Sequence, residues 1–413
     1  MKIKKVSAKK IFDSRGNPTL EVEVTTEKGL FKASVPSGAS TGIYEAVELR
    51  DEDGKGVSKA IENVNSLINK FIKGMDCTKQ KEIDDKMIKL DGTKNKSKLG
   101  ANAILGVSMA VCRAGAKAKK KELYEYISEL SGCEIKIPIP AFNIINGGRH
   151  AKNELSFQEF MILPIGAKNF KDSLKIGEKI YNELKEVIKK EYKLKTIEIG
   201  DEGGFALNIS KNEDALKILK KAIKKSKVRG EVGIGLDIAA SEFFEKNKYN
   251  LNFKGTKKDL KNGPEMIKIY KSFISKYKII SIEDPFEQDD LKNWIKITSE
   301  VGDKIEIVGD DLLVTNIFRI KKAILKKACN TLLLKINQIG TISEAIEAAK
   351  LVKKNNWKIM VSHRSGETND DFIADLAGGL GAEWIKSGAP YTSERMVKYE
   401  RLVKIEKELK CQN

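Results

Sequence analysis

No stretch of this sequence approaches the ~20 consecutive apolar residues that a membrane-spanning helix needs, so no membrane span is expected. Cysteine is sparse: Cys77, Cys112, Cys133, Cys329 and Cys411 form an odd set without a CxxC pair. That argues against a disulfide framework or a zinc site and fits reduced thiols. The segment Met1–Lys10 is basic but lacks the apolar run of a secretion signal, and a cytoplasmic location is expected. Aromatics make up only 7% of the chain and seldom interleave with its basic residues, which excludes a stacking platform for nucleic acid. Acidic residues are outnumbered, 58 against 76 lysines and arginines, for a net charge of +18. The lysines are spread out, as in Lys217–Lys227 and Lys257–Lys261, and read as a solvated surface. Binding to nucleic acid or a surface receptor is therefore not supported, whereas a small anionic substrate would benefit from the positive field.

At 413 residues the chain suits two domains, with a boundary in "IKIPIPAFNIINGG" (135–148), where two prolines and two glycines interrupt helical patterning. Residues 1–134 read as α+β: period-two alternation in "TLEVEVTTEKGLFKASV", then helical spacing over 57–130. Over 135–413 one pattern recurs: a short apolar run closes on a charged or hydrogen-bonding residue, and a helical stretch follows. The runs close at Glu202, Asp237, Glu283, Asp310, Lys335, His363 and Lys386, at intervals of 35, 46, 27, 25, 28 and 23 residues. Strands buried on both faces read as continuous apolar runs, and the shorter intervals fit one strand plus one helix. The expected fold class is α/β, a (β/α) barrel whose catalytic groups stand at the C-terminal ends of its strands.

Asp237, Glu283 and Asp310 close successive runs and can converge. Three carboxylates without thiol or imidazole form a hard oxygen donor set suited to Mg²⁺. Separate salt bridges to the many lysines are the alternative. Lys335, on the next run, would be a usable base if neighbouring cations push its pKa down; otherwise it is an ion-pair partner for those acids. Lys386 could pair with a substrate carboxylate. Both histidines, His150 and His363, sit in turn-forming contexts, and "HRSGE" adds Arg364 and Ser365, a fork and a hydroxyl suited to phosphate. "PSGASTG" (36–42) is a glycine-rich loop, which alone is a weak signal.

Taken together and in order, several motifs resemble the enolase family: "IFDSRGNPT" (11–19), "VPSGASTG" (35–42), "GANAILGVS" (100–108), "NIINGGRHA" (143–151), "QEFMI" (158–162), "GDEGGF" (200–205), "SIEDPF" (281–286), "GDDLLVTN" (309–316), "LLLKINQIGT" (332–341), "VSHRSGET" (361–368) and "IKSGAP" (385–390). The resemblance implies an N-terminal α+β domain capping a C-terminal (β/α)8-type barrel with irregular first units. It also implies Mg²⁺-dependent, reversible dehydration of 2-phosphoglycerate to phosphoenolpyruvate, with two Mg²⁺ per site and a homodimer or larger assembly. On matched positions, Lys335 is the base and Glu202 the acid, assisted by Glu159. Asp237, Glu283 and Asp310 hold one Mg²⁺, and Ser40 reaches a second. Arg364 and Ser365 take the phosphate and Lys386 the carboxylate, while His150, Gln158 and His363 contact substrate. Leu207, Tyr44 and Glu383-Trp384 depart from the family pattern at positions with no catalytic role. A different acid substrate of the same superfamily is the competing enzyme reading, and a pure binding protein the competing non-enzymatic one.

Overall fold

The computed structural model describes residues 1–38, 42–52 and 54–412. The chain begins with a three-stranded antiparallel sheet, Ile3–Phe12, Pro18–Thr26 and Gly29–Ser34. Val22, Val24 and Ala33 on its inner face are fully buried, as the alternation predicts. The long helix Ala101–Ala118 packs on that face; Gly106 lets it approach, since a Cβ there would sit 2.5 Å from Val22.

Eight strands form a closed barrel: Ile139–Asn146, Glu159–Leu163, Gly233–Asp237, Ile279–Glu283, Glu306–Gly309, Thr331–Leu334, Lys358–Ser362 and Trp384–Lys386, the last pairing back with the first. Glu159–Leu163 is antiparallel to both neighbours, and the other neighbouring pairs are parallel. The irregular first units implied by the family resemblance are thus present. One sequence expectation is corrected. The run closing at Glu202 is not a barrel strand but a two-residue strand, Glu198–Ile199, hairpinned to Phe205–Ala206 at the barrel rim. Glu198 and Ile199 are exposed, so the run there has no buried face to serve.

Ala141, Met161, Leu163, Val308, Leu333, Met360 and Trp384 fill the barrel interior as their own apolar cluster. Trp384, one of the family departures, is therefore a packing residue. Leu207 is buried in the main core. Among the described residues no helix is long and apolar enough to cross a membrane.

The N-terminal part is held to the barrel by a buried carboxylate. Asp84, on helix Gln80–Asp91, accepts from the Ser343 amide at 3.0 Å and its hydroxyl at 2.6 Å, at the N-terminus of barrel helix Ile342–Lys354. Gln80 also donates to it, at 3.1 Å. These donors are uncharged, and burial pushes the Asp84 carboxyl from 3.8 up to about 6. A carboxyl with a raised folded-state pKa costs stability when ionised. The cost is full above pH 6, roughly 3 kcal/mol at most, and is relieved as pH falls toward 4. Melting curves of Asp84→Asn and the parent should therefore diverge in the variant's favour between pH 4.5 and 7.5. A stability gap that stays constant over that range would show that Asp84 ionises as easily folded as unfolded.

Candidate active site

Because the strands are parallel and in register, the residues that close them meet at one mouth. Glu283 pairs directly with Asp237 across the Ile279–Glu283 and Gly233–Asp237 strands. Asp310 follows Glu306–Gly309, Lys335 follows Thr331–Leu334, His363 follows Lys358–Ser362, and Lys386 ends Trp384–Lys386. One small cavity at this mouth is lined by His150, Gln158, Glu159, Glu202, Lys335, His363, Arg364, Ser365 and Lys386, together with Ser362. Every one of those except Ser362 is a residue singled out from the sequence.

The carboxylates and lysines alternate. Lys386 Nζ lies 2.7 Å from Glu283, 3.2 Å from Glu159 and 3.3 Å from Asp237, and its own side chain is almost wholly buried. Gln158 donates to Asp237 at 3.3 Å. Lys335 Nζ pairs with Asp310 Oδ2, and Gln338 donates to Asp310 Oδ1 at 2.7 Å. Burial, then repulsion from Asp237, pushes the Glu283 carboxyl well above its ordinary range, and its Oε1 has no hydrogen-bond donor. An orphaned oxygen in an all-oxygen cluster balanced only by lysines is what a hard dication would satisfy. Asp237, Glu283 and Asp310 therefore fit Mg²⁺. Ser40, expected at a second ion, lies outside the described residues.

Lys335 stands under opposing influences. Burial is the largest single influence and pushes its pKa down, but the surrounding carboxylates, Asp310 first and then Glu283, together hold it above the ordinary lysine value. With Asp310 as its partner the ammonium is an ion-pair cation, and it can act as a base only when that charge is taken up elsewhere.

Opposite stands an acid cluster. Donor atoms of His150, Glu159 and Glu202 all lie within 4.8 Å of one another, with His150 Nδ1 3.6 Å from each carboxylate. Burial and repulsion from Glu202 push Glu159 well up. Burial would also raise Glu202, but His363 and His150 hold it well below the usual range, and Asn143 donates to it at 3.0 Å. One proton shared by this pair therefore resides on Glu159. His363 is itself oriented: Arg395, always a donor, approaches Nδ1 at 2.6 Å. The neutral ring then carries its proton on Nε2, facing Glu202 Oε2 at 3.2 Å. Burial pushes His363 down to about 4, so it stays neutral at physiological pH.

Arg364 donates to Glu45 at 2.9 Å and Asn337 at 3.0 Å, and Gly38 covers its guanidinium so closely that a Cβ would lie 1.9 Å from Nη2. The N-terminal part thus forms one wall of the site, stitched to the Arg364 loop by reciprocal Ser37–Gly366 backbone bonds at 2.8 Å. Tyr44 also lies on this wall. Its hydroxyl donates to Asp289 at 2.8 Å, and its ring stacks 3.9 Å from the Arg319 guanidinium.

Sequence reasoning missed five supporting residues. Thr315, next to Val314, has positive φ (52° and 41°), a strained conformation for β-branched residues. That geometry brings Thr315 Oγ1 within 3.0 Å of the Lys335 amide and 3.1 Å of Gln338 Oε1, tying Lys335 to the glutamine that holds Asp310. Gln338, Asp284 (which accepts from the Asp310 amide at 2.9 Å), Arg395 and Glu45 complete the set. Asp284, Thr315 and Gln338 fall inside motifs already quoted, which is the only signal they gave. Arg395 and Glu45 gave none.

Residues 134–413 match the family model for the enolase C-terminal TIM barrel domain, and residues 3–127 match that for the enolase N-terminal domain. A protein named Enolase from Solanum lycopersicum is 55% identical over 423 residues, covering 98% of this chain and 95% of the relative. Enolase B from Dictyostelium discoideum is 56% identical over 422 residues, covering 99% and 95%.

Proposed function

The chain belongs to the enolase family, and on that premise we propose how its residues share the family's reaction. That reaction is the reversible, Mg²⁺-dependent dehydration of 2-phosphoglycerate to phosphoenolpyruvate, a hydro-lyase step of glycolysis. A Mg²⁺ held by Asp237, Glu283 and Asp310 would supply positive charge beside the substrate carboxylate and take up the Asp310 charge that otherwise raises Lys335. Two ions per site, the second reached by Ser40, is the reading for the full complement.

The remaining work falls to the chain's own groups. Arg364 and Ser365 hold the phosphate, the guanidinium as a planar fork. Lys386, amid Glu159, Asp237 and Glu283, presents charge to the substrate carboxylate. Lys335 Nζ takes the C2 proton. At the opposite wall the proton held by Glu159 passes through Glu202 to the departing C3 hydroxyl, which leaves as water, while the His363 imidazole stands 3.2 Å from the Glu202 carboxylate. His150 and Gln158 close the pocket. The observation that carries this reading is the meeting at one barrel mouth of Lys335 paired with Asp310, of Glu283 and Asp237 both held by Lys386, and of the His150–Glu159–Glu202 cluster. Conversion of 2-phosphoglycerate should be followed by the absorbance of phosphoenolpyruvate in Mg²⁺ buffer, then with chelator. Conversion that persists after chelation would overturn the metal assignment, and no conversion at all would overturn the substrate.

The domain boundary is placed at 134/135, between helix Leu123–Ser131 and the first barrel strand Ile139–Asn146. Cytoplasmic residence in an assembly of two or more copies is the accompanying reading. It is supported by five free cysteines and by the exposed Phe12 on the N-terminal sheet.

A further inference from the structure

Lys254 is a half-buried cation with no carboxylate partner among the described residues. It lies between the short strands Lys248–Asn250 and Leu260–Lys261, beyond the cavity described above. Its Nζ donates to three backbone carbonyls: Gly148, Ala151 at 3.1 Å and Asn153 at 2.8 Å. An ammonium has three N–H donors, so this cradle uses all of them. Burial without a counter-charge pushes its pKa down. The three charge-assisted hydrogen bonds offset part of that cost, and the ammonium in turn holds together three carbonyl dipoles that would otherwise repel one another.

All three carbonyls belong to the turn that carries His150. Other bonds shape the first half of that turn: the His150 amide donates to the Gly147 carbonyl at 2.9 Å, and the His150 carbonyl accepts from the Asp201 amide at 3.2 Å. Gly148 takes a positive φ of 49° and bonds to Leu155 at 3.1 Å; Asn153 donates to the Asn146 carbonyl at 2.8 Å; Arg149 pairs with Glu242. None of these reaches the carbonyl side of residues 151–153, which Lys254 alone gathers among the described contacts. At the end of the turn the His150 imidazole stands 3.6 Å from both Glu159 and Glu202.

We propose that Lys254 is a positioning residue for the dehydration: its ammonium gathers the carbonyls of residues 148, 151 and 153 and so sets the His150 imidazole against the Glu159–Glu202 pair. The proposal rests on the reading of that pair as the proton-donating end of the site. It has a chemical corollary. Once the side chain is removed, the cradle is a vacant site for a small cation that can donate hydrogen bonds.

The test uses the full chain with ¹⁵N-labelled histidine, which gives only two imidazoles, His150 and His363. His150→Gln assigns them. In Lys254→Ala the His150 ring resonances should move while those of His363 stay in place, and kcat should fall about tenfold or more with a smaller change in KM. Ammonium or methylammonium chloride should restore part of both effects. Tetramethylammonium, which has no N–H, should restore neither. Lys254→Met, which keeps the apolar stem, should show the same loss and guards against a mere packing defect. His150 resonances that hold their place in both variants overturn the proposal, as does a loss of kcat that ammonium leaves untouched. The underlying reading is tested separately: if His150→Gln itself keeps the parent kcat, the acid-end assignment fails, whereas ring movement with ammonium rescue still upholds the cradle.

Discussion

Lys335→Ala is expected to abolish two measurable events at once, dehydration of 2-phosphoglycerate and exchange of its C2 proton with deuterated solvent. Glu202→Gln is expected to abolish only the first. The two residues line one cavity from different elements, Lys335 after a barrel strand and beside Asp310, Glu202 in the rim hairpin and beside His363 and Asn143. Removing the base stops proton abstraction, on which everything downstream depends, and a general base contributes on the order of 10²–10⁴ in rate. Removing the acid leaves abstraction intact, because Lys335, Asp310 and Gln338 are untouched. Glutamine is nearly isosteric at 202 and can accept from Asn143 as glutamate does. Proton NMR of 2-phosphoglycerate in D₂O reads both events from the same sample. Exchange that survives in Lys335→Ala but vanishes in Glu202→Gln would reverse the two roles.

Asp310→Asn should leave the barrel folded yet nearly inactive, and blind to Mg²⁺. The substitution removes the Asp310 charge from the proposed ligand set and turns an amide toward the Lys335 ammonium, where the carboxylate had been its partner. A disturbed metal shell typically costs ~10–100-fold in affinity, and loss of a charged ligand belongs at or beyond the upper end. The parent should melt at a higher temperature as Mg²⁺ is added, since a ligand that binds only the folded state stabilises it by mass action. The variant should show little of that shift, and calorimetric titration should show weakened binding. Asp310→Asn with the parent's Mg²⁺ affinity would remove Asp310 from the metal site.

What the sequence could and could not disclose follows from the physics of each element. From residue 233 onward the barrel strands are buried on both faces, so each is an apolar run, and the charge that closes it stands out. Asp237, Glu283, Lys335, His363 and Lys386 were legible for that reason. The first barrel strand was hidden because Pro140 and the Gly147-Gly148 turn punctuate it, which reads as a boundary. The second, Glu159–Leu163, is apolar after Glu159, but an apolar run carries no sign of strand direction, so its antiparallel setting could not be seen. At 196–202 a short apolar run closing on Glu202 suggested a barrel strand where only a rim hairpin forms. The groups that hold the site were the least legible. Arg395 reaches His363 across 32 residues of chain and Glu45 reaches Arg364 across 319, and no local pattern encodes such meetings. Thr315 owes its position to a backbone conformation that its side chain disfavours, which a propensity argument points away from.

The pairing of Arg364 with Glu45 has one more consequence. In the free protein the Arg364 guanidinium, proposed above as the phosphate fork, is already paired with an anion of the same chain, one that is 7% exposed and tethered at high local concentration. Substrate entry at that point is an ion exchange. A ligand bearing only a carboxylate offers the guanidinium nothing that Glu45 does not already provide, and it must also meet the entropic cost of association. A phosphate dianion brings greater charge and a third oxygen, so it can displace or share the fork. Discrimination against unphosphorylated acids would then come from the incumbent anion as much as from the fit of the pocket.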